Sequence, residues 1–182
     1  MAGLVTAAPT VGAAAHDASD AAPDPASDAV ERRLRALEDR AEITELIARY
    51  GPAVDRGDAR AVAALWTDDG EYAFDDTVLD ADGILTLVDL ESHQEFLRRG
   101  CAHIVSAPTI TIDGDTAVAT THSAVLAGSG ELWEPARVSA NRWELVRTTA
   151  GWRVHRRMNR LLDGSAAARA LLDQAASDPL SP

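Results

Sequence analysis

The chain has 182 residues, 17 basic and 29 acidic side chains, a formal net charge of -12 and a pI near 4.7. That length fits one domain, and 46% hydrophobic residues suffice for a core; a body of about 150 residues buries roughly 70% of the surface its unfolded chain exposes. The acidic balance argues against nucleic-acid binding, because a phosphate backbone needs a positive surface. All 17 cations are arginine, which excludes Schiff-base and phosphate-loop lysine chemistry. The single cysteine, Cys101, leaves no intrachain disulfide and no thiolate zinc site. With no basic leader followed by an apolar stretch, and no apolar run of about 18 residues, the expectation is a cytoplasmic protein without a membrane span.

Residues 1–29 are Ala, Pro, Asp, Ser, Thr and Gly-rich, with Asp17, Asp20, Asp24 and Asp28 among them. Too few apolar groups are present to offset the entropy of ordering, so a disordered tail is expected. From Val30, Leu34, Leu37, Ile43, Leu46, Ile47 and Tyr50 recur at three- and four-residue steps between charges, the pattern of an amphipathic helix. Gly51-Pro52 should disturb its end, with the helix continuing irregularly to Asp55. Asp58 is placed to cap a second short helix ending near Trp66. Thr67-Asp68-Asp69-Gly70 reads as a turn into a short strand over 71–74, and residues 82–99 as one or two helical pieces.

After Gly100 the pattern changes to period two: a run over 102–113, one over 116–127, one over 137–148 and one over 152–162. Four strand-like runs after a helical first half describe an α+β domain over 30–176, with helices on one face of a bent antiparallel sheet. An Ala-rich segment from Ser165 to Ala176 reads as a closing helix, followed by a short tail over 177–182.

No glycine-rich phosphate loop, nucleophile elbow or HExxH motif is present, so any function rests on scattered residues. Tyr50 and Asp55 lie on the apolar side of the first helix, roughly 140° apart at about 100° per residue. His103, among small and apolar neighbours, can accept and return a proton near neutral pH. His122 is a second candidate whose orientation strand parity leaves open. His16 and His93 read as surface residues, and His155, among arginines, as solvated. Ser139 and Asn141 share one face of a strand, where a hydroxyl and an amide orient a polar atom. Six arginines crowd the last two strands; one that faces inward could bind an anionic group or stabilise an oxyanion.

The segments LEDRAEITELIARYGPAVDRGDARAVAALWTDDG, AHIVSAPTITIDGDTAVA, SANRWELV and GWRVHRRMNRLLDG resemble the SnoaL-like branch of the nuclear transport factor 2-like superfamily, over about residues 31–165. The resemblance implies a cone of curved antiparallel sheet closed by helices around an apolar pocket, and a homodimer formed through the sheet. Bacterial bile-acid 7α-dehydratases carry a Tyr-x4-Asp at the end of the first helix and a His five residues before a Pro. Tyr50, Asp55, and His103 with Pro108 are similar to both, and Arg160 is similar to their last-strand arginine if one gap is allowed. Scytalone dehydratases share the Asp and His and have a Ser-Ala-Asn, which Ser139-Ala140-Asn141 resembles. Val54 stands where they have a tyrosine, and their first-strand tyrosine falls near Tyr72 or is replaced by Phe74.

The resemblance implies Asp55, His103 and Tyr50 as catalytic residues. Ser139, Asn141 and Arg160 are then expected around the substrate, with Trp66, Tyr72, Phe74 and His122. Neither a metal nor an organic cofactor is called for. The expected activity is that of a lyase or isomerase on a small hydrophobic, oxygenated molecule; the alternatives are a non-catalytic binding module and a polyketide cyclase.

Overall fold

The computed structural model describes residues 25–173. It opens with α1 (Pro25–Ala48), so residues 25–29, expected in the tail, form the first turn. Pro25 there lacks only an amide that would be unpaired anyway, and Asp28 adds a favourable charge at the helix N-terminus. The rest of the expected N-terminal tail, and the tail over 177–182, lie outside the described residues.

Pro52 cannot donate to the carbonyl four residues back, and α1 stops at that residue, Ala48; α2 (Tyr50–Asp55) restarts after one turn residue. Only the C-terminal part of the apolar stripe is covered. Ile43, Leu46, Ile47 and Tyr50 are buried, whereas Leu34 and Leu37 are 53% and 66% exposed. Asp58 caps α3 (Ala59–Ala63) by accepting from the amide of Ala61 at 3.0 Å.

Trp66 begins β1 (Trp66–Phe74) instead of ending the helix. The expected turn at 67–70 is absorbed as an irregularity within that strand, where the register against its neighbour shifts between Trp66 and Glu71. A short strand that periodicity missed, β2 (Thr77–Leu79), follows. Then come α4 (Ala81–Leu85), a single 3-10 turn (Leu87–Asp89) and α5 (Glu91–Arg99), within the expected helical region. Gly100, at φ +85, ends α5 in a conformation that side-chain-bearing residues avoid.

The first period-two run divides into β3 (Cys101–Val105) and β4 (Thr109–Asp113), which pair with successive parts of the long β5 (Thr116–Ser129). β6 (Leu132–Thr148) and β7 (Gly151–Leu161) complete one open sheet in the order β2-β1-β7-β6-β5-β3, with β4 also on β5. Every pairing is antiparallel except β1 with β7. Register shifts in the β5–β6 and β6–β7 ladders bend the sheet. α6 (Ala166–Asp173) packs against β6 and β7. The expected α+β cone is therefore present.

The main core lies between this sheet and α1 to α4. Ile43, Ile47, Val54 and Val62 meet Trp143, Leu145, Trp152 and Val154 there, all at 1% exposure or less. Each such aliphatic side chain contributes about 1.5–3 kcal/mol on burial. A polar clamp ties α1 to the sheet: Asp39 accepts from both terminal nitrogens of Arg147 at 2.7 Å and from Trp152 Nε1 at 3.1 Å.

Candidate active site

The break between α1 and α2 positions the site. Gly51 lies so close to β3 that a Cβ there would sit 2.1 Å from the backbone oxygen of His103. Only glycine permits that approach, and it brings the end of α2 onto the start of β3. Asp55 then accepts from the backbone amide of His103 at 3.0 and 3.1 Å and from its ring Nδ1 at 2.7 Å.

This geometry defines the imidazole. With the Nδ1 proton donated to the carboxylate, the neutral ring carries its lone pair on Nε2, which has no partner among the described residues. Burial pushes the His103 pKa below its ordinary 6.5, with Asp55 opposing that shift and His93 and Arg157 adding to it. The ring is therefore a neutral base at physiological pH.

Cys101 also faces the carboxylate, its thiol 3.6 Å from Asp55 Oδ1. Asp55, Cys101 and His103 present ligand atoms within 4.8 Å of one another, the one such group of three among the described residues. The three are joined by their own contacts, with Asp55 accepting from the His103 amide and Nδ1 and from the Cys101 thiol. Burial and the Asp55 charge push the thiol pKa up to about 11.

His103 forms part of the wall of a cavity of about 130 Å³. Val54, Phe74, Leu87, Leu90, Phe96, Val105 and Val125 make most of it apolar; Tyr50, Tyr72, His93, Ser123, Asn159, Arg137 and Arg157 bring polar groups. No carboxylate is among the lining residues. Burial raises the Tyr72 pKa, keeping it a neutral phenol.

Of the expected residues, Tyr50, Tyr72, Phe74 and His103 reach this cavity, with Asp55 directly behind the imidazole. Trp66 does not line it; its ring packs 6.0 Å from Tyr50 and 6.4 Å from Trp143 in the core. Asn141 and Ser139 are fully buried beneath the wall. Asn141 Oδ1 accepts from Arg157 and Asn159, and the Ser139 hydroxyl accepts from Arg137, so these two position other side chains.

His122 and Arg160 do not line the cavity either. His122 is exposed, because alternation along β5 turns its neighbour Ser123 to the cavity instead. Arg160 lies on the face of β7 opposite Asn159 and donates to the backbone oxygen of Asp75. The inward arginine is Arg157, 2% exposed. An extra residue in β7 causes this: Leu145 pairs with Val154 but Glu144 with Arg156, so His155 is bulged and the inward parity moves from 152 and 154 to 157 and 159.

His93, read as a surface residue, is also buried. Its Nε2 lies 3.0 Å from the backbone oxygen of Val54, and its ring centroid lies 5.6 Å from that of His103. A histidine three residues before a helix-period apolar position, Phe96, is the one sequence signal that marked its inward face.

The protein-family comparison matches the SnoaL-like domain over residues 35–158. Among solved structures, the chain is similar to a nuclear transport factor 2-like protein with a cystatin-like fold from Novosphingobium aromaticivorans. That match is 52% identical with a TM-score of 0.77 and covers 79% of this chain and 94% of the other. Aln2 from a Streptomyces species shares the fold at 20% identity and a TM-score of 0.62, covering 81% and 98% of the two chains. Rv3472, a protein of unknown function from Mycobacterium tuberculosis, does so at 20% identity and 0.61, covering 84% and 90%. No curated protein matches the chain in sequence. No helix among the described residues is long and apolar enough to cross a membrane. The match over 35–158, the open bent sheet beneath short helices and the identity to the Novosphingobium protein together establish that the chain belongs to the SnoaL-like branch of the nuclear transport factor 2-like superfamily.

Proposed function

We propose that the protein is a cofactor-independent lyase or isomerase that works by general acid–base catalysis on a small, hydrophobic, oxygenated substrate. The observation that carries this reading is the 2.7 Å contact between Asp55 and His103 Nδ1, made at the wall of a largely apolar cavity. In the reading, His103 Nε2 removes a proton from the carbon α to a carbonyl, and the electron pair moves onto the carbonyl oxygen as an enolate. Asp55 stabilises the resulting imidazolium and holds the ring in place. For a β-hydroxy ketone the enolate collapses to a C=C bond as the β C–O bond breaks, and the imidazolium proton leaves with the hydroxyl as water. For an isomerase the same proton returns to a different carbon.

Tyr50, at the cavity wall, donates a hydrogen bond to the developing oxyanion. A preorganised general base contributes roughly 10²- to 10⁴-fold. The test is turnover of a panel of cyclic and acyclic β-hydroxy ketones by the native protein and by His103→Ala. The expected result is a loss of roughly a hundredfold or more in the variant. Equal rates, or no turnover of any panel member by the native protein, count against the reading.

A further inference from the structure

The cavity contains a buried positive charge that the protein does not neutralise. Arg157 is 2% exposed and its guanidinium is caged by aromatic rings, its Cζ 4.1 Å from the centroid of Tyr50, 4.6 Å from Tyr72 and 4.2 Å from Trp143. Its Nε and Nη2 donate at 3.1 and 2.7 Å to Asn141 Oδ1, a neutral amide oxygen. Nη1 is fully buried and has no hydrogen-bond partner among the described residues.

The support around Arg157 is built from amides. Asn141 Oδ1 also accepts from Asn159 at 2.8 Å, and its Nδ2 donates to Ser123 at 3.0 Å. Asn159 Oδ1 in turn accepts from Arg137 at 2.9 Å. The one carboxylate in this network, Asp75, pairs with Arg137 at the more exposed end. A carboxylate in place of Asn141 would quench the charge. The amide orients the guanidinium and leaves its charge in place, in a medium where an unpaired cation is costly and an incoming anion is correspondingly favoured.

We infer that Arg157 is the binding site for a carboxylate of the substrate, so that the molecule taken by this cavity is a small organic acid of about one ring in size. The size follows from the volume: about 130 Å³ is close to that of cavities, near 150 Å³, that take up benzene. The sign of the charge follows from Arg157, which has no carboxylate partner, and from the absence of any acidic side chain among the residues lining the cavity; Arg137 is already paired with Asp75. The assignment deepens the acid–base reading. His103 and Arg157 line one cavity, so a carboxylate paired with the Arg157 guanidinium holds the rest of the molecule beside the imidazole.

The test is calorimetric titration of the native protein with benzoate and with benzamide, which has the same shape and no charge, repeated with Arg157→Gln and His103→Ala. A charge-assisted hydrogen bond formed in a desolvated site is expected to favour benzoate over benzamide by roughly tenfold to a hundredfold. The preference should vanish in Arg157→Gln and survive in His103→Ala. Equal affinity of the native protein for the two compounds overturns the assignment, and so does a benzoate preference undiminished in a folded Arg157→Gln. Should Arg157→Gln not fold, the acid–amide pair on the native protein decides. Because binding is read without turnover, failure of the acid–base reading and failure of the carboxylate site are separately visible.

Discussion

Two arginines on adjacent strands stack on tryptophans, and they are held in opposite ways. Arg147 lies 4.5 Å over Trp152 and meets Asp39 through two 2.7 Å bonds, with Asp115 as a further partner at 2.9 Å. Arg157 lies 4.2 Å over Trp143, is more deeply buried, and meets only the amide of Asn141. The first charge is neutralised within the fold, and the result is a clamp between α1 and the sheet. The second is left uncompensated at a cavity. The difference teaches that the partner's charge, more than burial or stacking, separates a structural arginine from one kept for a ligand.

The contrast can be broken at the clamp first. Asp39→Ala leaves the Arg147 fork and the Trp152 indole without their acceptor, and should lower the unfolding free energy by about 2 kcal/mol, measured by urea denaturation. A change below about 0.5 kcal/mol would show that the clamp is incidental. At the cavity the opposite outcome is expected. Arg157→Met removes an uncompensated charge and keeps much of its volume, so stability should fall by less than about 1 kcal/mol while benzoate binding is lost. A loss as large as that of Asp39→Ala would mean that Arg157 is as structural as Arg147.

A finer test uses pH. The folded His103 pKa is below 6.5, so the acid limb of kcat/KM should lie below 6.5. Asp55 is the group that raises that pKa against burial, His93 and Arg157, while the neighbouring Cys101 is neutral. Asp55→Asn should therefore move the limb to still lower pH as well as reduce kcat. A limb that moves upward would contradict the assigned Asp55–His103 coupling.

Much of this was legible in the chain. Helical steps of three and four residues marked α1, the Gly51-Pro52 pair marked its interruption, and Asp58 marked the cap of α3. The Tyr-x4-Asp and His-x4-Pro spacings brought Tyr50, Asp55 and His103 forward together through the family they resemble. What was not legible depended on what lies opposite each residue. Leu34 and Leu37 fit the apolar stripe yet stay exposed, because periodicity reports one face of a helix and not whether anything covers it. Asp39 and His93 are polar residues buried by partners far away in sequence, Arg147 and Val54.

The amino-acid order by itself determined the α+β class and the absence of lysine and disulfide chemistry, which follow from composition and local periodicity. The family, and with it the carboxylate–imidazole pair, came from the residues by which the chain resembles that family. Only the tertiary structure decided which arginine enters the cavity. One bulged residue in β7 reverses the alternation of a strand, turning Arg157 and Asn159 inward and leaving Arg160 outside. A guanidinium can be buried there because rings from α2, β1 and β6 converge on it. The net charge of -12 is a sum over the chain, and the charge that faces the ligand is set by the few side chains that the fold brings together.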